Sequence, residues 1–155
     1  MIKKIVLMTL AMIISIAVFA QKSNLKWHTD YEQANKEALA TKKPIMFFFT
    51  GSDWCGWCIK MNKEVFVTPE FAAWAKKNVV LLEIDFPRNK KQEENIVKQN
   101  KQLQQMFGVQ GYPTIHFAMP AKDAKTKIKH LGSAFYEPGG APAFIKTANN
   151  FIKNK

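Results

Sequence analysis

Cysteine is almost missing from this chain. Only Cys55 and Cys58 occur among 155 residues, and three histidines, His28, His116 and His130, lie scattered along it. A zinc site takes about four such ligands, so no metal is expected. Covalent haem attachment requires a histidine directly after the second cysteine, where Ile59 stands. A bridge between Cys55 and Cys58 encloses almost no loop; as an inert staple it removes little entropy from the unfolded chain, and that reading is the weaker one. Arginine is rarer still. Arg88 is alone, and lysine supplies nearly all of the positive charge behind the formal net charge of +11. Nucleic-acid readers display arginine on a clustered face. Here the lysines are spread and interleaved with Glu and Asp, which describes a solvated basic surface with at most a loose attraction to acidic partners or anionic membrane. No nucleic acid is expected as a partner. Repeats and low-complexity tracts are absent, and 47% apolar with 23% charged residues is the composition of one globular domain.

Acidic residues are also absent before Asp30. Met1-Ile2-Lys3-Lys4 is basic, Ile5 to Ala20 is apolar apart from Thr9 and Ser15, and Val18-Phe19-Ala20 is a cleavage signal ahead of Gln21. Residues 1–20 read as a secretory signal peptide and 21–155 as the mature domain. A membrane anchor is the competing reading, but the apolar run is shorter than the ~20 residues that span a bilayer. No cysteine follows it, so a lipid anchor is not suggested. The expected location is a bacterial periplasm, with secretion beyond it as the alternative.

What the chain does have is concentrated around its two cysteines. The apolar run Pro44-Ile45-Met46-Phe47-Phe48-Phe49 leads through Thr50-Gly51-Ser52-Asp53 into Trp54-Cys55-Gly56-Trp57-Cys58. A Cys-x-x-Cys pair where a buried strand meets a helix is a dithiol–disulfide redox device. Residues three apart are neighbours on a helix, so the sulfurs can close a small ring or open to two thiols. At a helix N-terminus the first thiol meets unpaired N–H groups and the positive end of the dipole, which lower its pKa and supply the reactive thiolate.

The remaining pattern alternates helices with strands. Thr29-Asp30-Tyr31-Glu32 has capping-box spacing and predicts a helix to about Ala40. Ile45 to Phe49 is a strand buried on both faces, and the helix holding the cysteines runs to about Phe66. Thr68-Pro69-Glu70 opens another helix. Val79 to Asp85 is a second buried strand. The polar stretch Pro87 to Lys101 opens a helix reaching Met106 or Phe107, with Gly108 as its cap; a solvated helix is favoured there over a docking one. Strands follow at Ile115–Met119 and Lys127–Leu131, with a polar turn between them and Gly132 breaking the second. A final amphipathic helix covers Ala141 to Lys153. This order predicts a single-domain α/β fold, a mainly parallel sheet with an antiparallel edge.

In these features the sequence resembles the thioredoxin superfamily. Trp54-Cys55-Gly56-Trp57-Cys58 is similar to its Trp-Cys-x-x-Cys active site, Ile45–Phe49 and Leu82-Glu83-Ile84-Asp85 to its central strands, and Gly111-Tyr112-Pro113-Thr114 to its Gly-x-Pro-Thr segment. The likeness covers Trp27 to Lys153, and the Phe-Thr-Gly-Ser-Asp-Trp-Cys lead-in resembles exported bacterial members. The resemblance implies a thioredoxin-like fold and an exported thiol–disulfide oxidoreductase that needs no metal or organic cofactor; a monomer is expected, though the sequence itself does not speak to oligomeric state. It implies that Cys55 attacks client disulfides and Cys58 resolves the adduct. Trp54 would flank the site or simply pack there. Pro113 would be cis and would place Tyr112's backbone beside the sulfurs, where a client strand pairs. Disulfide-containing proteins are the implied clients, and a membrane electron-transfer protein the implied donor.

Two departures bear on direction. Thioredoxin places a buried aspartate on the strand before its active site and a lysine nearby. Phe47-Phe48-Phe49 holds no acid, and Leu81-Leu82-Glu83 offers Glu83 and no lysine. Asp53 reads as a capping residue. Strong oxidants of the family carry a histidine between the cysteines, stabilising the thiolate; Trp57 has no charge to do so, which favours a reductase. Trp57 would offer an apolar contact to clients or cover the second sulfur. An oxidase or isomerase, and a non-catalytic client-binding module, are the alternatives.

Overall fold

The computed structural model describes residues 25–122 and 128–153; the expected signal segment, residues 1–20, lies outside them. A five-stranded mixed sheet in the order β1-β3-β2-β4-β5 is built from β1 (Trp27–His28), β2 (Ile45–Thr50), β3 (Val80–Asp85), β4 (Thr114–Ala118) and β5 (His130–Ala134). β1, β3 and β2 run parallel, while β4 and β5 are antiparallel additions. The helices are α1 (Tyr31–Thr41), α2 (Gly56–Met61), α3 (Pro69–Asn78), α4 (Glu94–Phe107) and α5 (Gly140–Ile152).

The pleat sends alternate residues to opposite faces and so creates two cores. Met46, Phe48, Leu81, Ile115 and Phe117 meet α2, α3 and α5 on one face; both cysteines belong to this cluster. Ile45, Phe47, Phe49, Leu82 and Ile84 meet α1 and α4 on the other. Every residue of β2 is buried, which explains why the strand reads as a continuous apolar run.

Local chemistry sets the helix ends, in places one residue from the sequence expectation. Asp30, rather than Thr29, caps α1, its carboxylate accepting the Gln33 N–H at 2.9 Å. Thr68 caps α3 and Pro69 occupies its first turn, as the sequence predicts. Gly108 ends α4 in the left-handed region at φ 64°. Cys55 caps α2 rather than lying inside it. Beyond Met61 that helix widens over Asn62–Phe66 to wide-turn bonding, in which Val67 N–H reaches the Asn62 carbonyl at 3.1 Å. Such widened turns recur at functional sites.

Two expectations are corrected. α4 begins at Glu94, and residues 87–93 form a loop instead of its opening turns, because Asp53 holds the start of that loop by its backbone. β5 runs through Gly132 rather than ending before it. Glycine is required there by close approach: a Cβ would enter the Phe151 ring of α5. The register shift between Phe117 and Ala118 takes up the irregularity opposite this point. Lys127, where the strand was expected to start, lies outside the described residues.

Candidate active site

The site forms where β2 leaves the sheet. Its loop folds back at once, the Cys55 N–H donating to the Gly51 carbonyl at 2.8 Å. A Cβ at Gly51 would collide with the Trp54 indole, so the turn depends on glycine. Asp85, the last residue of the neighbouring strand β3, anchors the loop from below. Its carboxylate accepts the Ser52 N–H at 2.8 Å and the Ser52 hydroxyl at 2.6 Å. Asp53 works in the opposite direction. It accepts the N–H groups of Arg88 at 3.0 Å and Asn89 at 2.7 Å, and those bonds hold its carboxyl below the usual range. It is therefore a cap, as expected, but for the loop after β3.

Cys55 and Cys58 are joined by a disulfide, with Cα atoms 5.2 Å apart. Both are buried, Cys58 at 2% exposure and Cys55 at 6%. The Cys58 N–H donates to Cys55 Sγ at 3.2 Å. This places one of the unpaired donors of the α2 N-terminus on the sulfur expected to become a thiolate.

Aromatic rings frame the pair on two sides. Trp54 is fixed by its Nε1–H, which donates to the Phe86 carbonyl at 2.8 Å, and by an edge contact to Tyr112 at 5.8 Å. Tyr112 stacks on Phe86 at 5.3 Å, and its hydroxyl accepts from the Gln104 amide at 2.7 Å. The Tyr112–Pro113 peptide is cis, and Pro113 is buried at the head of β4. A groove of about 420 Å3 runs beside it, lined by Phe107, Tyr112, Pro113, Thr114 and Phe135. On the other side Trp57 is 57% exposed. It lies 5.2 Å from Tyr136, whose hydroxyl donates to Glu64 at 2.7 Å. The structure thus brings Trp54 and Tyr112 together, and sets Trp57 apart from them in a second aromatic pair.

Sequence reasoning gave no role to Asp85, Arg88, Lys60 or Tyr136. Arg88 places its guanidinium 4.0 Å over the Trp54 ring, and the Lys60 ammonium lies 5.3 Å from the rings of both Trp57 and Tyr136. The solitary arginine was the one legible signal among them. Glu83 pairs in register with Phe48, so the pleat puts it on the face that carries the cysteines. Burial, with Asp85 nearby, pushes its carboxyl above the usual range. On the opposite face His116 is held down to about 4 by burial and by His130, whose ring nitrogen is 2.9 Å away. Among the described residues no group of three or more His, Cys, Asp or Glu is placed to hold a metal ion.

Comparison with known proteins agrees with this geometry. Residues 31–127 match the family model described as a thioredoxin-like domain. The chain is 35% identical over 131 residues to the disulfide bond reductase DsbH of Chlamydia pneumoniae, covering 84% of this chain and 75% of that protein. It is 33% identical over 139 residues to the thioredoxin-related protein DsbJ of the same organism, covering 86% of this chain but only 39% of that longer protein. A solved structure of a DsbH oxidoreductase superposes with a TM-score of 0.74 over 85% of this chain and 87% of that one. The chain belongs to the thioredoxin-like family, as a thiol–disulfide oxidoreductase of the DsbH and DsbJ type built around Cys55 and Cys58.

Proposed function

We propose that the protein is an exported disulfide reductase for client proteins. The observation that carries the reading is the uncharged Gly56-Trp57 dipeptide between the cysteines, which adds no charge to stabilise a Cys55 thiolate at the start of α2. Reduced Cys55 attacks one sulfur of a client disulfide. The client S–S bond breaks, a mixed disulfide with Cys55 forms, and one client thiolate leaves and takes a proton. Cys58, the more buried sulfur, then attacks Cys55 Sγ. The second client thiol is released, and the Cys55–Cys58 disulfide returns. Two electrons have passed to the client, and a membrane electron-transfer protein restores them to the oxidised pair. Trp54, Trp57, Tyr112 and Pro113 border the sulfurs and meet the client; the backbone of Tyr112 pairs with it as a strand.

Export rests on the basic-then-apolar start of the sequence; among the described residues no helix is long and apolar enough to cross a membrane. The deciding experiment equilibrates the mature protein against dithiothreitol and glutathione buffers. A potential near the thioredoxin value, ~−270 mV, supports an electron-fed reductase, and one near ~−120 mV makes the protein an oxidant and overturns the reading. Replacing Cys55 by Ser separates catalysis from simple client binding, since a phenotype that survives the change does not depend on thiol exchange.

A further inference from the structure

The cations at the rim of the disulfide are held in place, and on the reductase reading above they select clients. Arg88 is the only arginine in the chain. Its backbone is pinned by Asp53, and its guanidinium lies 4.0 Å over a Trp54 ring that is itself fixed by Phe86 and Tyr112. Among the described residues the ion pairs are Lys26 and His28 with Glu37, and Lys60 with Glu64. Among the described residues the Arg88 fork thus has no carboxylate partner, and the nearby Asp53 carboxylate is turned to the backbone N–H groups of Arg88 and Asn89. Lys60 lies over Trp57 and Tyr136. Its Glu64 contact is loose, at 3.9 Å, and the other Glu64 oxygen accepts the Tyr136 hydroxyl. Two exposed cations are therefore laid on aromatic residues that adjoin Cys55 and Cys58 in the chain.

We propose that this rim is a docking surface for acidic client segments. Clients whose reducible disulfide is flanked by Asp or Glu would place carboxylates on Arg88 and Lys60 while the sulfurs meet Cys55. Stacking on a ring fixes the guanidinium before the client arrives, so less side-chain freedom is lost when the planar fork grips a carboxylate. The positive net charge of the whole chain adds attraction at longer range.

The test uses two synthetic peptides with the same internal disulfide, one flanked by aspartates and one by lysines. Each is mixed with the prereduced protein, and its rate is normalised to its reaction with neutral β-mercaptoethanol. The expected result is faster reduction of the acidic peptide, with a preference that shrinks as salt rises. Arg88→Gln should cut the acidic-to-basic rate ratio by about two- to five-fold, the scale of one exposed ion pair, and Arg88→Lys should restore part of it. Lys36→Gln, the same charge change on exposed α1 behind the sheet, should leave the ratio alone. Equal normalised rates overturn the proposal. So does an equal loss in the Lys36 variant, which would make the effect one of net charge. Arg88→Gln releasing the protein from phosphatidylglycerol vesicles while sparing the peptide ratio would assign the rim to a membrane surface and overturn it too. Failure to reduce either peptide would instead sink the reductase reading beneath it.

Discussion

Removing the Asp85 carboxylate is the most direct perturbation of the scaffold that aims Cys55. Two hydrogen bonds tie Asp85 to Ser52, at 2.8 Å from the backbone N–H and 2.6 Å from the hydroxyl, both in partly buried surroundings. Hydrogen bonds to a charged group contribute about 1.5–3 kcal/mol each when one partner is deleted. Repulsion opposes this, because Asp85 raises the Glu83 carboxyl's pKa and its loss relieves that contact. Asp85→Ala is therefore expected to cost about 2–4 kcal/mol rather than the full sum of the two bonds. Ser52→Ala removes only the hydroxyl bond and should cost about 1.5–3 kcal/mol. The two changes share a partner, so the double variant should show a coupling of about 1.5–3 kcal/mol. Urea unfolding of the four oxidised proteins reads this from the midpoints at a common slope. A coupling below about 0.5 kcal/mol, the additivity expected of unconnected sites, would refute the claim that Asp85 holds the active-site loop through Ser52.

Other consequences follow from the same geometry. Cys55→Ala should abolish reduction of insulin disulfides, whereas Cys58→Ala should accumulate mixed disulfides visible on non-reducing gels; a Cys58 variant that never forms them would reverse the assigned order of attack. Gly132→Ala should destabilise by about 1–3 kcal/mol, because its methyl group meets Phe151, and adding Phe151→Ala should abolish that particular clash in thermal melts. The Glu83 carboxyl sits above its ordinary 4.5 in the folded state, so the native chain holds a proton that the unfolded one has released. Stability falls as pH rises through that window, and Glu83→Gln should stabilise at pH 7 but not below the ordinary value. His116 has the opposite sign. Its pKa drops from 6.5 to about 4, so the unfolded chain takes the proton first and stability declines as pH falls from 6.5 toward 4; His116→Phe should flatten that limb of the urea midpoint profile.

Much of this architecture was legible because local chemistry and tertiary need agree. Ile45–Phe49 reads as a central strand since both faces of β2 are covered. Thr68 and Pro69 mark the start of α3 unaided. The failures share a cause, a contact from far along the chain. Gly132 looks like a strand breaker until α5 lays Phe151 over it. Residues 87–93 look like the first turns of a helix until the Asp53 carboxylate, 35 residues earlier, claims the Arg88 N–H. The cysteines, Trp54 and the Tyr112-Pro113 step carried a motif; Asp85, Lys60 and Tyr136 belong to the site only through the fold, and nothing in their immediate sequence marks them.

The same distinction bears on redox direction. The N-terminal position of Cys55 and the Cys58 N–H that its sulfur accepts both follow from the Cys-x-x-Cys spacing. Any pair built this way has them, so they cannot separate a reductant from an oxidant. About 150 mV divides ~−270 mV from ~−120 mV, which is roughly 7 kcal/mol for a two-electron couple. Even at a buried end such as this one a helix dipole contributes up to about 2 kcal/mol, far short of that gap. Closing it requires extra charge or donors on the thiolate itself, and the two residues between the cysteines supply neither. The cations Arg88 and Lys60 lie over the rings of Trp54, Trp57 and Tyr136. On the proposed reductase reading, charge held over the rings serves clients at the rim and adds no stabilisation to the reduced pair. Introducing that charge at the centre, with Trp57→His, should raise the potential toward the oxidising end and slow insulin reduction. An unchanged potential in that variant would break the link between the uncharged Gly56-Trp57 dipeptide and reducing power.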